Sequence, residues 1–77
     1  MKIWIRGIKD IYDFVTACMD IPPAVQIYQN GEVADAKEVI QVLGRINLKE
    51  PAVLCLGSKD PKMAFRLMGI VKRCCWC

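Results

Sequence analysis

The sequence predicts an α+β fold, an antiparallel sheet covered on one face by amphipathic helices. Two observations carry this. Short segments around Ile3, Val25 and Leu54 read as strands with the two-residue period of a half-buried sheet. Between and after them, apolar residues recur at helical spacing, with Gly, Pro and Asn-Gly marking the boundaries.

In chain order, Ile3 and Ile5 alternate with Lys2, Trp4 and Arg6. Gly7 can cap the helix that follows, and Asp10 suits its positive end. Ile11, Phe14, Val15 and Cys18 form that helix's apolar stripe, with Ile8 as an extension, and Pro22-Pro23 ends it. The second strand, Ala24 to Gln29, sends Val25 and Ile27 to one face and Gln26 and Tyr28 to the other. Asn30-Gly31 tolerates positive φ and makes a hairpin turn into a short strand, Glu32 to Ala34. Asp35 and Glu38 then stand in a D-x-x-E arrangement, which predicts a capping box at the start of a short helix. Its stripe is Ala36, Val39, Ile40 and Leu43, and Gly44 ends it. Arg45 to Leu48 is a connector in which Ile46 or Leu48 plugs the core edge. Lys49-Glu50-Pro51 is a turn, and Ala52 to Leu56 is the last strand. Asp60 and Pro61 start the final helix as cap and first helical residue. Ala64, Phe65, Leu67, Met68, Ile70 and Val71 give it a broad apolar face. Gly69 weakens it by ~1 kcal/mol relative to alanine, and Lys72 and Arg73 suit its negative end.

A chain of 77 residues, 55% apolar and 25% charged, is expected to be a single packed domain spanning 1–77. Its net charge of +3, with no block of like charges, does not point to nucleic acid. The longest apolar runs are too short to cross a bilayer, and the first residues do not read as a signal peptide. The expected setting is therefore the cytoplasm, with no membrane partner and with reduced thiols. The five cysteines fit that setting: they are odd in number and unlike the spread, even set of a secreted disulfide scaffold. Cys18 and Cys55 lie within apolar patterns, as small hydrophobes do.

The block Asn30 to Leu43, NGEVADAKEVIQVL, resembles a stretch of the HPr phosphocarrier family of the bacterial sugar phosphotransferase system. Many members of that family carry a similar N-G, A-x-A-K-S block ahead of an apolar short helix. The order strand, helix, strand, turn, short helix, strand, long helix fits over nearly the whole chain. The resemblance sharpens the expected fold to an HPr-like open-faced β-sandwich, a four-stranded antiparallel sheet with three helices on one face. It also implies where function would sit. The family transfers phosphate through a histidine just before its first helix, and this chain has no histidine. Gly7 falls at the histidine position and Lys9 at that of an arginine that helps hold the phosphate. Neither supplies the transfer chemistry, and lysine lacks arginine's bidentate fork. The helix start retains free amides that can attract an anion.

Glu38 stands where some members carry a regulatory serine. It supplies one permanent negative charge, against roughly −1.5 to −2 for phosphoserine; the alternative is that it simply completes the cap with Asp35. Val39 and Ile40 fall in the region through which the family docks partner enzymes and regulators, and each either faces the core or anchors a partner. On the sheet, if Ile3, Ile5, Val25, Ile27, Leu54 and Leu56 face the helices, then Trp4, Tyr28, Val53 and Cys55 face away. An aromatic patch there can mediate self-association, giving a homo-oligomer. In the tail, Cys74, Cys75 and Cys77 offer soft thiolates to Zn²⁺ or Cu(I), and Lys72 and Arg73 can lower their pKa. A tetrahedral site needs four ligands, and no histidine or second C-x-x-C completes it. The other reading is a helix end with Cys74 or Cys75 packed inward.

These readings lead to a non-catalytic regulatory or protein-binding module, without cofactor, acting through a protein partner. Two further readings are a phosphocarrier-type component of sugar transport and a thiol-based metal or redox module built on the tail.

Overall fold

The computed structural model describes residues 1–76. The chain forms β1 (Lys2–Ile5), α1 (Ile8–Cys18), β2 (Val25–Gln29), β3 (Glu32–Asp35), α2 (Val39–Arg45), β4 (Ala52–Leu56), α3 (Pro61–Cys74) and β5 (Cys75–Trp76). Strand order is β3-β2-β4-β1-β5, with every pairing antiparallel. The four strands β1 to β4 form the expected open sheet, and the three helices cover one face of it. The short β5 adds to that plan, setting Cys75 against Ile5 and Trp76 against Trp4. Two residues carry too little alternation to announce a strand.

Alternation decides the layers. Ile3, Ile5, Val25, Ile27 and Leu54 point to the helices and are buried. They meet Ile11, Phe14, Val15 and Cys18 of α1 and Leu67, Ile70, Val71 and Cys74 of α3 in one apolar cluster. Each fully buried aliphatic or aromatic side chain there stabilises the fold by about 1.5–3 kcal/mol. The β2–β3 hairpin turns at Asn30 and Gly31, whose φ values of 49° and 83° are both positive, as a two-residue turn between right-twisted strands requires. At the start of α3 the Asp60 carboxylate accepts from the Lys62 amide at 2.9 Å, and Pro61 opens the helix as expected.

Other boundaries differ from the sequence reading. The first helix stops at Cys18, ahead of the prolines, because a tight turn in which Ile21 N–H donates to the Cys18 carbonyl carries Ile21 into the core. The strand β3 runs through Asp35, and the Ala36 amide still donates to Val25 at 2.9 Å, so the second helix begins only at Val39. Ala36 is fully buried, but in the turn rather than on the helix. Gly44 lies inside the last turn of α2, which ends at Arg45. Ile46 is buried and Leu48 packs partly against the core, so both candidates plug its edge. The apolar face of α3 is narrower than expected, for Ala64, Phe65 and Met68 are exposed.

One polar side chain enters the core. The Gln29 amide nitrogen donates to the carbonyls of Asn47, Glu50 and Pro51 at 2.9, 3.1 and 3.3 Å, and its oxygen accepts from the Asn47 amide at 2.6 Å. Gln29→Leu keeps the bulk and removes every one of these bonds. It is expected to lower stability by about 1–3 kcal/mol, since part-buried backbone groups of the 47–51 loop lose their partner. Denaturant melts measure this, and an unchanged midpoint would show that water takes over the clamp.

Candidate functional site

The start of α1 holds the two positions that the family resemblance singles out. Gly7 caps the helix in an extended conformation, with φ −173° and ψ 179°, and nothing lies within 4 Å of where a Cβ would stand. A side chain would fit there, so its absence is a matter of sequence and not of crowding. Lys9 is exposed in the first turn. Beside it Asp10 pairs with Arg6 at 3.0 Å, and the Arg6 guanidinium also donates to the Arg73 carbonyl at 3.2 Å. The helix start is therefore already served by its own carboxylate. Gly7 has no side chain and Lys9 brings an amine, so neither offers an imidazole at the helix start.

The short helix α2 packs against α1 and β3, and its first turn is built differently from a capping box. Asp35 Oδ1 accepts from the Lys37 amide at 2.9 Å, two residues on, and the Glu38 amide donates to the Asp35 carbonyl at 3.0 Å. This is a turn held by an aspartate side chain at the end of a strand. Asp35 is thus a turn residue. The helix cap is Glu38, whose side chain makes no capping bond. The Lys37 ammonium reaches back to the Ile21 carbonyl and ties the same turn to the end of α1. Glu38 is exposed, and its carboxylate has no hydrogen-bond or ionic partner among the described residues. The reading in which Glu38 completes a cap with Asp35 is overturned.

The docking pair divides. Val39 packs on the core, while Ile40 is 81% exposed. Val42, outside the predicted stripe, is the fully buried residue of α2, and Leu43 stands exposed one turn from Ile40. The outward apolar pair is therefore Ile40 and Leu43, on the helix that Glu38 caps. Further exposed apolar residues lie at Ile8, Tyr12 and Met19 along α1 and at Phe65 and Met68 on α3. Ile8 belongs to this set and not to the core stripe.

On the other side of the sheet, Tyr28, Val53 and Cys55 are exposed and Trp4 is half-buried. The Lys2 ammonium lies 5.8 Å from the centre of the Trp4 ring, near the outer limit for a cation–π contact.

The two described tail thiols, Cys74 and Cys75, do not behave as the basic neighbours suggested. Cys74 and Cys75 are both buried in the core, as is Cys18. Burial pushes the Cys75 thiol up to about 12, with the nearby Cys74 and Cys18 adding to the effect. Cys18 is likewise raised to about 12 by burial and then by Cys74. Cys74 is raised by burial and by Asp13, and Arg73 opposes this only in part. Desolvation outweighs the basic flank. Among the described residues no group of three His, Cys, Asp or Glu side chains is gathered as a metal ion requires. Cys77, the third tail cysteine, lies outside the described residues. A shallow groove of about 380 Å³ between α1 and α3, lined by Asp13, Thr16, Ala17, Arg73 and Cys74, lies beside the buried Cys74 thiol and away from α2 and the open face of the sheet.

Comparison of the chain with protein-family models, with curated proteins and with solved structures returned no significant match.

Two outcomes follow from the thiol environments. In a Cys77→Ser background, a thiol reagent is expected to modify Cys55 first and to reach Cys18, Cys74 and Cys75 far more slowly, as mass-spectrometric mapping would show. Rapid labelling of Cys74 or Cys75 would mean that the α3–β5 junction opens readily. The second outcome concerns pH. Cys18 and Cys75 ionise near 9.0 when unperturbed and near 12 when folded, so between those values the unfolded chain binds fewer protons than the native one. Their contribution to stability is fully present below pH 9 and is lost as pH rises toward 12. Denaturant midpoints should fall above pH 9, and Cys18→Ala should flatten that slope.

Proposed function

We propose that this chain is a non-catalytic regulatory module of HPr type that binds a protein partner through α2, in a cytoplasmic setting. The observation that carries the reading is the 81% exposure of Ile40 in the first turn of α2, two residues after the exposed Glu38 at its cap. An aliphatic side chain so exposed adds little to the core, and a partner that covers it would remove its apolar surface from water. The inward side of α2, Val39 and Val42, is held by the core. The outward side is thus presented on a fixed support, as a docking anchor requires. Glu38 gives that surface a constant negative charge, where a serine would need a kinase to supply one. The lack of any histidine sets the chemistry: the family's phosphoryl transfer has no imidazole to work with. A partner recognising this surface carries an apolar pocket with a basic residue at its rim.

The test has two arms. Incubated with enzyme I and phosphoenolpyruvate, the chain should acquire no acid-labile phosphate; an adduct at any residue would overturn the non-catalytic reading. Added in excess to a histidine-bearing carrier in the same assay, it should slow phosphorylation by occupying the partner, and Ile40→Asp should abolish that competition. Absence of competition by the native chain would remove α2 as a docking surface for this class of partner.

A further inference from the structure

We propose that the helix-free face of the sheet is the interface of a two-fold symmetric homodimer. The inference is independent of the docking role of α2. It rests on how the outward residues are distributed across the strands.

The pairings Tyr28↔Val33, Tyr28↔Val53 and Lys2↔Val53 place one row across the face: Val33 on β3, Tyr28 on β2, Val53 on β4, Lys2 on β1. A second row runs Asp35, Gln26, Cys55. Because β5 pairs only with Trp4 and Ile5, the sheet at these rows is four strands wide, β3-β2-β4-β1, and its midpoint there lies between β2 and β4. A two-fold axis there, parallel to the strands and lying between two facing sheets, exchanges β2 with β4 and β3 with β1. It sets the large Tyr28 of one copy on the small Val53 of the other, twice, at the centre of the contact. It also sets Lys2 over the partner's β3. There Asp35 stands one outward position beyond Val33, about 7 Å along the strand, within reach of a lysine arm. Lys2 and Asp35 are the two charged residues at the outward positions of these four strands, and they stand on the outermost two of the four, β1 and β3. A face with one positive and one negative edge complements a copy of itself turned by this axis. A lipid surface would call for basic residues on both edges.

Two further details suit this occupant. The Tyr28 hydroxyl donates to Gln26 Oε1 at 2.8 Å, which lays the ring along the strand and leaves a flat aromatic surface outward. Facing sheets about 10 Å apart with strands nearly aligned are the ordinary geometry of a β-sandwich. The four strands outline a face about 20 by 17 Å. With side-chain relief this is roughly 500 Å² per copy, about 1,000 Å² in all, at the lower bound for a specific interface. The dimer is accordingly weak, with a dissociation constant on the order of micromolar to tens of micromolar.

Sedimentation equilibrium of the Cys77→Ser chain, in reductant and from about 1 µM to 1 mM, tests the proposal. A monomer–dimer equilibrium is expected. Tyr28→Asp should weaken it at least tenfold, Lys2→Glu should weaken it several-fold by opposing Asp35, and Ile40→Asp should leave it unchanged. Circular dichroism and denaturant melts report whether each variant keeps its fold. A readout on the unaltered face is Cys55, which the axis sets opposite the partner's Gln26. Its labelling should slow as protein concentration rises through the dimerisation range. A chain that stays monomeric to 1 mM overturns the proposal, as does a dimer that Tyr28→Asp and Lys2→Glu leave intact. Cys55 labelling that is independent of concentration also overturns it.

Discussion

The arrangement depends on one buried amide. Gln29 sits at the end of β2, and its four bonds to the 47–51 segment fix how the chain leaves α2 and enters β4. A loop without regular structure leaves backbone groups that must find partners when they are buried. Here a single side chain supplies acceptor and donor together. The position of β4 against β2 follows, and with it the pairing of Tyr28 with Val53. Because the side-chain period of a strand is two, a slip of one residue would send Leu54 outward and Val53 into the core. The clamp and the apolar alternation specify the same register.

Much of this fold was legible in the sequence, and the reasons are local. Alternation gave the inward faces of β1, β2 and β4, Asn30-Gly31 gave the hairpin, and Asp60-Pro61 gave the start of α3. Each signal lies within a few residues and needs no distant partner. Asp35 misled because an aspartate before a helix has two uses. It can accept from the first helical turn or from an amide two residues on, and the choice depends on how long β3 stays paired with β2. That length is a long-range fact, recorded in the bond from Ala36 to Val25. Gln29 was missed for the same reason, since its partners lie far along the chain.

The two sides of α2 were half legible. The sequence left open which of Val39 and Ile40 faces outward, and the structure turns Ile40 out and Val39 in. At 100° per residue, Ile40 lies about 130° from the centre of the Val39, Val42 and Ile46 stripe, and Phe65 about 170° from the inward stripe of α3. Counting every apolar residue as core hid both, because α2 and α3 carry more apolar residues than their inward sides can hold. The thiols failed in the opposite way. Arg73 beside Cys74 suggested a reactive thiolate, but reactivity depends on burial, and burial at the α3–β5 junction is set by the pairing of Cys75 with Ile5.

The edges of the sheet decide what kind of assembly this protein can join. On β3 three backbone groups that face away from β2 are engaged within the molecule. The Val33 carbonyl accepts from Arg45 at 3.0 Å, the Asp35 amide donates to Gln41 at 3.1 Å, and the Asp35 carbonyl accepts from Glu38. On the opposite side β5 lies along part of β1. Open strand edges are templates on which chains add one after another without limit. With one edge stitched to a helix and the other partly paired within the same molecule, growth in the plane of the sheet is suppressed. Recognition is left to surfaces made of side chains, which can saturate. Despite the exposed apolar residues, strand-by-strand growth into fibres is thereby disfavoured.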